Sequence, residues 1–369
     1  MTATAAEPRA MVPALTGLRG LAAWFVVLFH IRTGAQSQLP PLAMDILGKG
    51  YVAVDLFFML SGFVLWLNYG AALRRSGLAG TPSFLARRIA RIWPLHLFIL
   101  AATVGYALVR ELTGRANPGH YPWSELPLHL LLAHNWGFTQ ALTWNDPSWS
   151  ISCEFAAYLL FPLLAISMDW SRLPSWAASL LLLILALTLG FVMRDAASLG
   201  DDIPRFGLAR ALVEFAMGTL LCALWIRWRE RPGPVLLGCA GLIGVLTTTA
   251  VAGLAREPIA VPLILAALLL AVAVTGSSPG NPLAWRWVHY LGEISYSTYL
   301  IHFLLYILFK LVLVEDPDLV PLPLLGLFLL LVLAASIALH HGLERPAQRA
   351  LNRAFDSLRA PPRTAAESG

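Results

Sequence analysis

The first apolar segment of the chain carries an arginine and a histidine at a spacing that suits joint chemistry. Arg19 and His30 stand eleven residues apart in an otherwise apolar run. Because a helix rises about 1.5 Å per residue with roughly 3.6 residues per turn, both side chains fall on one face, about 16 Å apart. An imidazole can act as a general base, and a guanidinium can stabilise developing negative charge. The pair therefore predicts one helix that supplies two functional groups to a single channel.

Two carboxylates are predicted to lie at the depth of His30. Asp55 stands near the start of the second apolar run and Glu154 near the start of the fourth. If the first helix runs outward and the other two run inward, all three groups fall in the outer third of the bundle. A carboxylate beside an imidazole fixes its tautomer and stabilises its cation, so Asp55 or Glu154 is expected to orient His30. A structural polar pair without chemistry is the alternative.

A basic cluster, Arg87, Arg88 and Arg91, precedes the third apolar run. Arg88 and Arg91 share a helix face at i,i+3, and guanidinium groups can grip phosphate oxygens with two hydrogen bonds. The cluster therefore predicts a phosphate-binding site at the inner mouth of the bundle. On the residues alone, the simpler explanation is positive charge typical of a cytoplasmic loop or of contact with anionic lipid headgroups.

Two further helices carry polar side chains within apolar sequence. Ser295, Tyr299 and His302 recur at i, i+4 and i+7, which places them on one face and predicts the lining of a polar cavity. Hydrogen bonding between helices is the alternative role for such groups. Arg210 and Glu214 stand four residues apart, where an internal ion pair is the simplest prediction. Glu214 is also a candidate for the cavity wall.

The elements that must position these groups follow from composition. Of 369 residues, 58% are apolar and 13% are charged, with a mean hydropathy of +0.68, whereas soluble domains are about 45–50% apolar and 25% charged. A membrane span needs roughly 20 apolar residues. The sequence therefore predicts an all-α polytopic membrane protein, a bundle of about ten transmembrane helices. They are expected near residues 12–33, 48–70, 84–110, 147–168, 174–193, 207–229, 234–255, 257–275, 288–313 and 320–343.

The distribution of positive charge predicts the orientation of the bundle. Residues 126–138 are too short for a span and contain two histidines, so they fit a surface-lying or re-entrant segment. If they did span, every later helix would be inverted. With ten spans, sixteen of the 26 Lys and Arg residues lie on the side of the two termini and nine on the other side. Since cytoplasmic loops are rich in Lys and Arg, both termini are expected in the cytoplasm.

The same topology divides the chain. Residues 1–11 are expected to form a cytoplasmic segment, residues 12–345 the membrane domain, and residues 346–369 a basic, disordered cytoplasmic tail. An N-terminal signal peptide is a less favoured alternative because Arg19 lies within the first span. We expect a multi-pass protein of a cell membrane, specifically the bacterial inner membrane.

Other chemistries have less support. The three cysteines lie in apolar stretches without the spacing of a metal or redox pair, so no metal cofactor is expected. They are Cys153, Cys222 and Cys239. The net charge of +5 is better explained by cytoplasmic loops than by binding to nucleic acid.

Six motifs, taken in order, resemble the acyltransferase-3 family of integral membrane acyltransferases. Each motif is weak alone, but six in sequence over residues 12–350 are specific. They are Arg19-x10-His30, Val-Asp-Leu-Phe-Phe-x-x-Ser-Gly-Phe ending at Phe63, Arg88-x-x-Arg91 before Trp93-Pro94, Trp149-Ser150-Ile151-Ser152-Cys153-Glu154, Ser295-Tyr296-Ser297-Thr298-Tyr299-Leu300-Ile301-His302, and Glu344-Arg345-Pro346. Cys153 departs from the valine more often expected there. We expect the stand-alone form, without a fused C-terminal hydrolase-like domain.

The resemblance implies a ten-helix domain that passes an acyl group, often acetyl, from cytoplasmic acyl-CoA to a hydroxyl of an envelope carbohydrate or related acceptor. It implies that Arg19 and His30 are essential. It also implies that Arg88 and Arg91, with the adjacent Arg87, bind acyl-CoA. Arg19 or hydroxyl groups of the ninth helix would then stabilise the oxyanion.

Two other classes of function compete with this one. A transporter or flippase would use the same buried charges as a substrate path, but neither inverted repeats nor paired broken helices stand out. A non-catalytic sensor is a third class, against which the intact arginines and His30 argue. The acceptor, the acyl chain and the oligomeric state do not follow from the sequence.

Overall fold

The computed structural model describes residues 12–276, 278, 280–316 and 319–358. The predicted N-terminal segment and residues 359–369 of the predicted tail lie outside these ranges. The described residues form helices and connecting turns, with no strand among them. The all-α prediction is therefore confirmed for the part of the chain that the structure describes.

Ten long helices form the bundle, and an eleventh follows it. They are α1 (Pro13–Ile31), α2 (Ala53–Leu65), α3 (Thr81–Leu112), α4 (Ser148–Ser167), α5 (Ser175–Val192), α6 (Ile203–Trp228), α7 (Pro232–Val251), α8 (Glu257–Val274), α9 (Ser295–Leu313), α10 (Leu322–Leu339) and α11 (Arg345–Ser357). Within the described ranges, nine helical stretches are long and apolar enough to cross a membrane. One of them, Pro41–Leu112, has 72 residues and contains both α2 and α3.

Shorter helical pieces join some of these helices. A π turn, Trp66–Gly70, continues α2 into Ala71–Ser76, and another, His340–Glu344, continues α10 into α11. The helix Pro41–Gly48 precedes α2, and Arg286–Glu293 leads into α9. Gly77 has a φ of 59°, a left-handed conformation that glycine adopts without strain, and it stands at the turn between Ala71–Ser76 and α3.

Helices α2 and α6 run parallel and in close contact. Asp55 pairs with Arg210 near their starts, and the rings of Phe63 and Trp225 lie 5.6 Å apart further along. A Cβ atom on Gly218 would lie 2.0 Å from the carbonyl oxygen of Met59, so glycine is needed there for the two backbones to meet. This contact holds the Asp55–Arg210 pair in a rigid part of the bundle.

Helix α4 runs in the same direction as α6. The Arg210 guanidinium lies 5.3 Å from the ring centroid of Trp149 at the start of α4. Further along both helices, the ring centroids of Phe161 and Phe215 lie 5.7 Å apart. Because α2 and α4 are both parallel to α6, the chain between α3 and α4 returns to the side that it left. That stretch, residues 113–147, therefore does not cross the bundle.

The same stretch enters the bundle as a re-entrant segment. His96, near the middle of α3, lies 2.8 Å from the carbonyl oxygen of His129, and the Trp93 indole donates to the carbonyl of Leu130 at 3.1 Å. His129 and Thr143, which it contacts at 2.9 Å, are buried. Irregular backbone is tolerated at membrane depth only where protein surrounds it. The structure thus favours the re-entrant form over the surface-lying one.

The tail departs from the sequence prediction. Disorder was expected from residue 346, but α11 is helical as far as Ser357. Its small apolar residues Ala347 and Ala350 line a groove together with Trp93 of α3, and Asp356 forms a 3.2 Å ion pair with Arg87. The polar composition of α11 did not predict a helix, but packing of its apolar face against α3 stabilises one.

Candidate active site

A cavity of about 380 Å³ lies between α1, α2, α3, α4, α9 and the short helix Arg286–Glu293. It occupies the end of the bundle where α1, α3 and α9 begin. Six of the residues predicted to act in the site line this cavity. They are Arg19, Arg88, Arg91, Glu154, Ser295 and Tyr299. The structure therefore brings groups from four helices, far apart in sequence, to one internal space.

Arg19 is held at the cavity wall by the chain before α9. Its Nη2 donates to the carbonyl oxygen of Gly292 at 2.7 Å, while its Nε is buried without a partner. No carboxylate oxygen of a described residue lies within 4 Å of its guanidinium. Burying a cation in a span costs about 2.5–3.5 kcal/mol on insertion scales, so Arg19 is a candidate functional residue.

Arg88 faces the same cavity between two aromatic rings. Its Nη2 donates to the Tyr69 hydroxyl at 3.1 Å, and its guanidinium lies 5.3 Å from the Tyr69 centroid and 5.9 Å from the Tyr158 centroid. Among the described residues, no ion pair forms at Arg88 within 4 Å. Aromatic faces favour a cation without neutralising it, so the Arg88 guanidinium faces the cavity without a counter-ion in contact among the described residues.

Arg91 differs, because it already has a counter-ion. It pairs with Glu344, which also accepts from Ser297 at 2.6 Å and lies 3.2 Å from His340. Glu344 belongs to the closing Glu-Arg-Pro motif, so this contact joins α3, α9 and the end of α10. The sequence predicts that Arg91 binds phosphate together with Arg88. Arg91 does line the same cavity as Arg88, but unlike Arg88 it is paired with a carboxylate.

Arg87 does not line the cavity. It projects away from Arg88 and pairs with Asp356 of α11. Neighbouring residues on a helix point about 100° apart, so one of the two faces the cavity while the other faces the surface. The predicted cluster of three thus separates into Arg88 and Arg91, which both line the cavity, and Arg87, which lies at the periphery.

His30 lies beyond the cavity, next to His302. The two rings have centroids 4.9 Å apart, and His302 Nε2 lies 3.2 Å from His30 Nδ1. Tyr299 stands between them and the cavity, since its side chain lines the cavity and its carbonyl oxygen contacts His302 Nδ1 at 2.7 Å. Helices α1 and α9 run parallel, because Arg19 contacts Gly292 just before α9 and His30 contacts His302 further along it. Arg19 and His30 therefore lie at different depths of one path.

The prediction that Asp55 orients His30 is wrong. Asp55 accepts from Arg210 Nη2 at 2.7 Å and from Arg210 Nε at 3.0 Å, and both side chains are buried. A buried carboxylate gains most from a guanidinium that offers two donors. The second candidate, Glu154, lines the cavity and accepts from the Tyr158 hydroxyl at 2.5 Å rather than contacting His30.

The predicted pair of Arg210 and Glu214 is also replaced. Arg210 is paired with Asp55, while both carboxylate oxygens of Glu214 are buried without a hydrogen-bond partner among the described residues. Glu214 does not line the cavity. It lies beside the buried Asp55–Arg210 pair between α2 and α6, close enough to interact electrostatically with both groups.

Sequence reasoning missed several groups that complete the site. Tyr69 and Ser61 of the α2 region and Glu293 of the short helix were not singled out, yet all three line the cavity or contact its arginines. Ser61, which lines the cavity, could have been identified from the sequence because it belongs to the Ser-Gly-Phe motif. No sequence motif identified Tyr69, because its contact with Arg88 depends on the π turn that follows α2.

Comparisons with known proteins agree with this architecture. Residues 12–341 match the Acyl_transf_3 family, described as an acyltransferase domain. The acyltransferase MdmB of Streptomyces mycarofaciens is 30% identical, with 79% of this chain and 78% of the relative covered. The putative peptidoglycan O-acetyltransferase YrhL of Bacillus subtilis is 24% identical, with 79% of this chain and 48% of the relative covered.

The peptidoglycan O-acetyltransferase OatA of Listeria monocytogenes is also 24% identical, with 82% of this chain covered. This chain spans about half the length of the two peptidoglycan relatives, 48% and 50% respectively. No solved structure matches the chain. Since the family match extends from the start of α1 to the end of α10, the chain belongs to the acyltransferase-3 family.

Proposed function

We propose that the protein transfers an acyl group, most simply acetyl, from cytoplasmic acyl-CoA to a hydroxyl of an extracytoplasmic carbohydrate or related acceptor. The observation that carries this proposal is the pair Arg19 and Arg88, two guanidinium groups that face one cavity without a carboxylate partner among the described residues. Such a cavity attracts a ligand that brings its own negative charge. The phosphate groups of acyl-CoA meet that requirement.

In this proposal the donor and the acceptor approach opposite ends of one path. Arg88 holds the phosphates near the start of α3, and the pantetheine arm extends past Arg19 toward Tyr299. His30 stands beyond Tyr299, about 16 Å from Arg19 by helix rise. Arg19 therefore cannot touch the same carbonyl as His30, and we assign it to the donor rather than to the oxyanion.

The transfer step places His30 as the general base. His30 Nε2 removes the proton of the acceptor hydroxyl as its oxygen attacks the thioester carbonyl. The resulting oxyanion collapses, the new C–O bond remains, the C–S bond breaks, and the CoA thiolate takes the proton from His30. The thioester must pass the Tyr299 side chain, which bonds Ser150 at 2.8 Å and the carbonyl of Pro147 at 3.0 Å.

The relatives support a carbohydrate acceptor. YrhL and OatA are described as acting on peptidoglycan, and ExoZ of Rhizobium meliloti, 29% identical, is an exopolysaccharide production protein. Peptidoglycan and exopolysaccharide are both carbohydrate polymers, and their sugars carry free hydroxyl groups. Proton removal by a neutral imidazole is suited to such hydroxyls.

The decisive experiment measures release of the CoA thiol. Purified protein in nanodiscs would receive acetyl-CoA and N-acetylglucosamine oligomers, and free thiol and O-acetylated sugar would be measured together. We expect equal amounts of both products. A transporter or flippase would release no thiol, and its protein-dependent movement of sugar across vesicles would contradict the proposal.

Replacing Arg88 with alanine should weaken binding of acetyl-CoA. A charge-assisted hydrogen bond contributes about 1.5–3 kcal/mol, so the Kd should rise roughly tenfold or more. Arg88→Lys should restore affinity only in part, since an ammonium cannot bind phosphate through two parallel bonds. Titration of acetyl-CoA by calorimetry provides the measurement.

The adjacent Arg87 offers a matched control for the Arg88 variant. Arg87→Ala removes the same charge from the same helix, but Arg87 pairs with Asp356 outside the cavity. Its Kd for acetyl-CoA should stay within about twofold of the wild type. Equal weakening by both variants would mean that general positive charge, rather than a site at Arg88, attracts the donor.

We also propose that both termini face the cytoplasm of a bacterial cell and that the bundle lies in its inner membrane. Arg75, at the end of α2's continuation, and Glu315, between α9 and α10, are both exposed. In a protein with its native cysteines replaced, Arg75→Cys should react only with reagent that reaches the cytoplasm, and Glu315→Cys with reagent added outside. Labelling from the reverse sides would overturn this topology.

A further inference from the structure

We propose that His302 positions His30 for acyl transfer, by fixing the proton of His30 on Nδ1 and leaving its Nε2 lone pair for the acceptor hydroxyl. This inference rests on the proposed function, in which His30 is the general base. The orienting partner is then a second, neutral imidazole in place of the carboxylate that the sequence predicted.

Three contacts define the geometry of the pair. His302 Nε2 lies 3.2 Å from His30 Nδ1. The same His30 Nδ1 lies 2.9 Å from the carbonyl oxygen of Val26, and His302 Nδ1 lies 2.7 Å from the carbonyl oxygen of Tyr299. Because a carbonyl oxygen can only accept a hydrogen bond, each of these Nδ1 atoms must carry a proton.

Only one neutral arrangement satisfies all three contacts. With its proton on Nδ1, His302 presents a lone pair at Nε2. His30 Nδ1 then donates to two acceptors, the Val26 carbonyl and His302 Nε2. In the opposite tautomers, a lone pair would face a carbonyl oxygen at 2.9 Å in one ring and at 2.7 Å in the other. The hydrogen-bond network therefore assigns the proton positions.

The remaining nitrogen of His30 is the one that can act on substrate. No hydrogen bond from a described residue reaches His30 Nε2. His30 is half-buried, whereas His302 is 0% exposed and cannot contact an acceptor. His302 is thus a positioning residue, and His30 is the residue that meets the hydroxyl.

The pair also suits the proton balance of the reaction. When His30 Nε2 takes the acceptor proton, the imidazolium keeps its Nδ1–H bonds to Val26 and His302, which stabilise the cation. When the CoA thiolate takes that proton back from Nε2, the same tautomer is restored. His302 neither gains nor loses a proton, so each cycle begins with the base ready.

Wild-type protein with ¹⁵N-labelled histidine gives a direct test. The nine histidines would be separated by comparison with His30→Ala, and solid-state NMR would report which nitrogen of His30 is protonated. We expect Nδ1–H for His30, with magnetisation transfer to His302 Nε2 across the hydrogen bond. Protonation of His30 at Nε2 in the resting protein would overturn the inference, whatever the variants show.

Two substitutions of His302 separate positioning from simple packing. His302→Leu fills space without an acceptor, and kcat for acetyl transfer to N-acetylglucosamine oligomers should fall about tenfold or more, the value of one lost hydrogen bond. Its Kd for acetyl-CoA should not change. His302→Gln, whose amide oxygen can reach the position of Nε2, should recover part of kcat by again accepting a hydrogen bond from His30 Nδ1.

The outcomes distinguish this inference from the proposed function. Unchanged kcat in His302→Leu would overturn the positioning role. If His302→Leu does not fold, the wild-type and His302→Gln spectra still decide the question. If the wild type shows the Nδ1–H tautomer but releases no CoA thiol, the contact is real and the proposed acyl transfer is wrong.

Discussion

Replacing His30 with alanine is expected to abolish acyl transfer while leaving acetyl-CoA binding intact. His30 does not line the cavity that contains Arg19 and Arg88, and by helix rise it lies about 16 Å from Arg19. A general base contributes about 10²–10⁴-fold to rate, so kcat should fall by at least two orders of magnitude. Release of CoA thiol by purified protein in nanodiscs measures the rate, and calorimetry measures the Kd for acetyl-CoA.

A second histidine provides the control for this variant. His341 is exposed and contacts the Tyr290 hydroxyl at 3.0 Å, away from the cavity lining. His341→Ala should keep both the rate and the Kd of the wild type. A near wild-type rate in His30→Ala would show that His30 is not the general base. Glu154, which does line the cavity, would then be the next candidate base to test.

Much of the architecture could be predicted because it depends on properties of short sequence segments, such as the length of an apolar run. Apolar length sets how many helices cross, so the ten predicted spans correspond to α1 through α10, with boundaries that differ by several residues. Residues 126–138 were too short and too polar to span, and the structure places this stretch as a re-entrant segment beside His96. Depth along a helix follows from counting residues.

The partners of the buried charges could not be predicted in the same way. Counting residues placed Asp55 and His30 at similar depth, but it does not tell which way each helix is rotated about its axis. That rotation turns Asp55 toward Arg210 of α6. The His30–His302 contact likewise needed the parallel packing of α1 and α9, which joins residues 272 positions apart.

The arginine motif shows the same limit. Sequence placed Arg88 and Arg91 on one helix face and assigned them one role. The structure distinguishes them, because Arg91 is paired with Glu344 from the far end of the chain, whereas Arg88 lines the same cavity without an ion pair among the described residues. A motif identifies which residues matter, whereas its counter-ions depend on tertiary contacts.

The pair between Asp55 and Arg210 changes what a substitution in this region should do. If Asp55 oriented His30, its loss would lower activity in a stable protein. Since Asp55 instead neutralises a buried guanidinium between α2 and α6, breaking the pair should act on folding. Removing one partner of a buried ion pair costs about 3–5 kcal/mol, because the remaining charge is left without compensation.

Arg210→Met is the variant with the larger expected effect on stability. It keeps most of the side-chain volume but leaves Asp55 buried without its counter-ion, next to the buried carboxylate of Glu214. We expect a loss of about 3–5 kcal/mol in the free energy of unfolding, seen as a lower yield of folded protein and a lower Tm in detergent. Adding Asp55→Asn to Arg210→Met should recover part of that loss, since one unpaired carboxylate is then removed.

Arg205, five residues earlier and at the exposed start of α6, is the matched control. It forms a 3.6 Å surface pair with Asp195 and lies 4.7 Å from the ring centroid of Phe206, with its side chain 58% exposed. Surface pairs of this kind contribute about 0–1 kcal/mol. Arg205→Met should therefore leave Tm nearly unchanged. If Arg210→Met were as stable as Arg205→Met and lost only acyl transfer per folded molecule, Arg210 would belong to the catalytic path rather than to the support of α2 and α6. The expected result is the opposite: the few Arg210→Met molecules that fold should keep CoA-binding affinity, because neither Arg210 nor Asp55 lines the donor cavity.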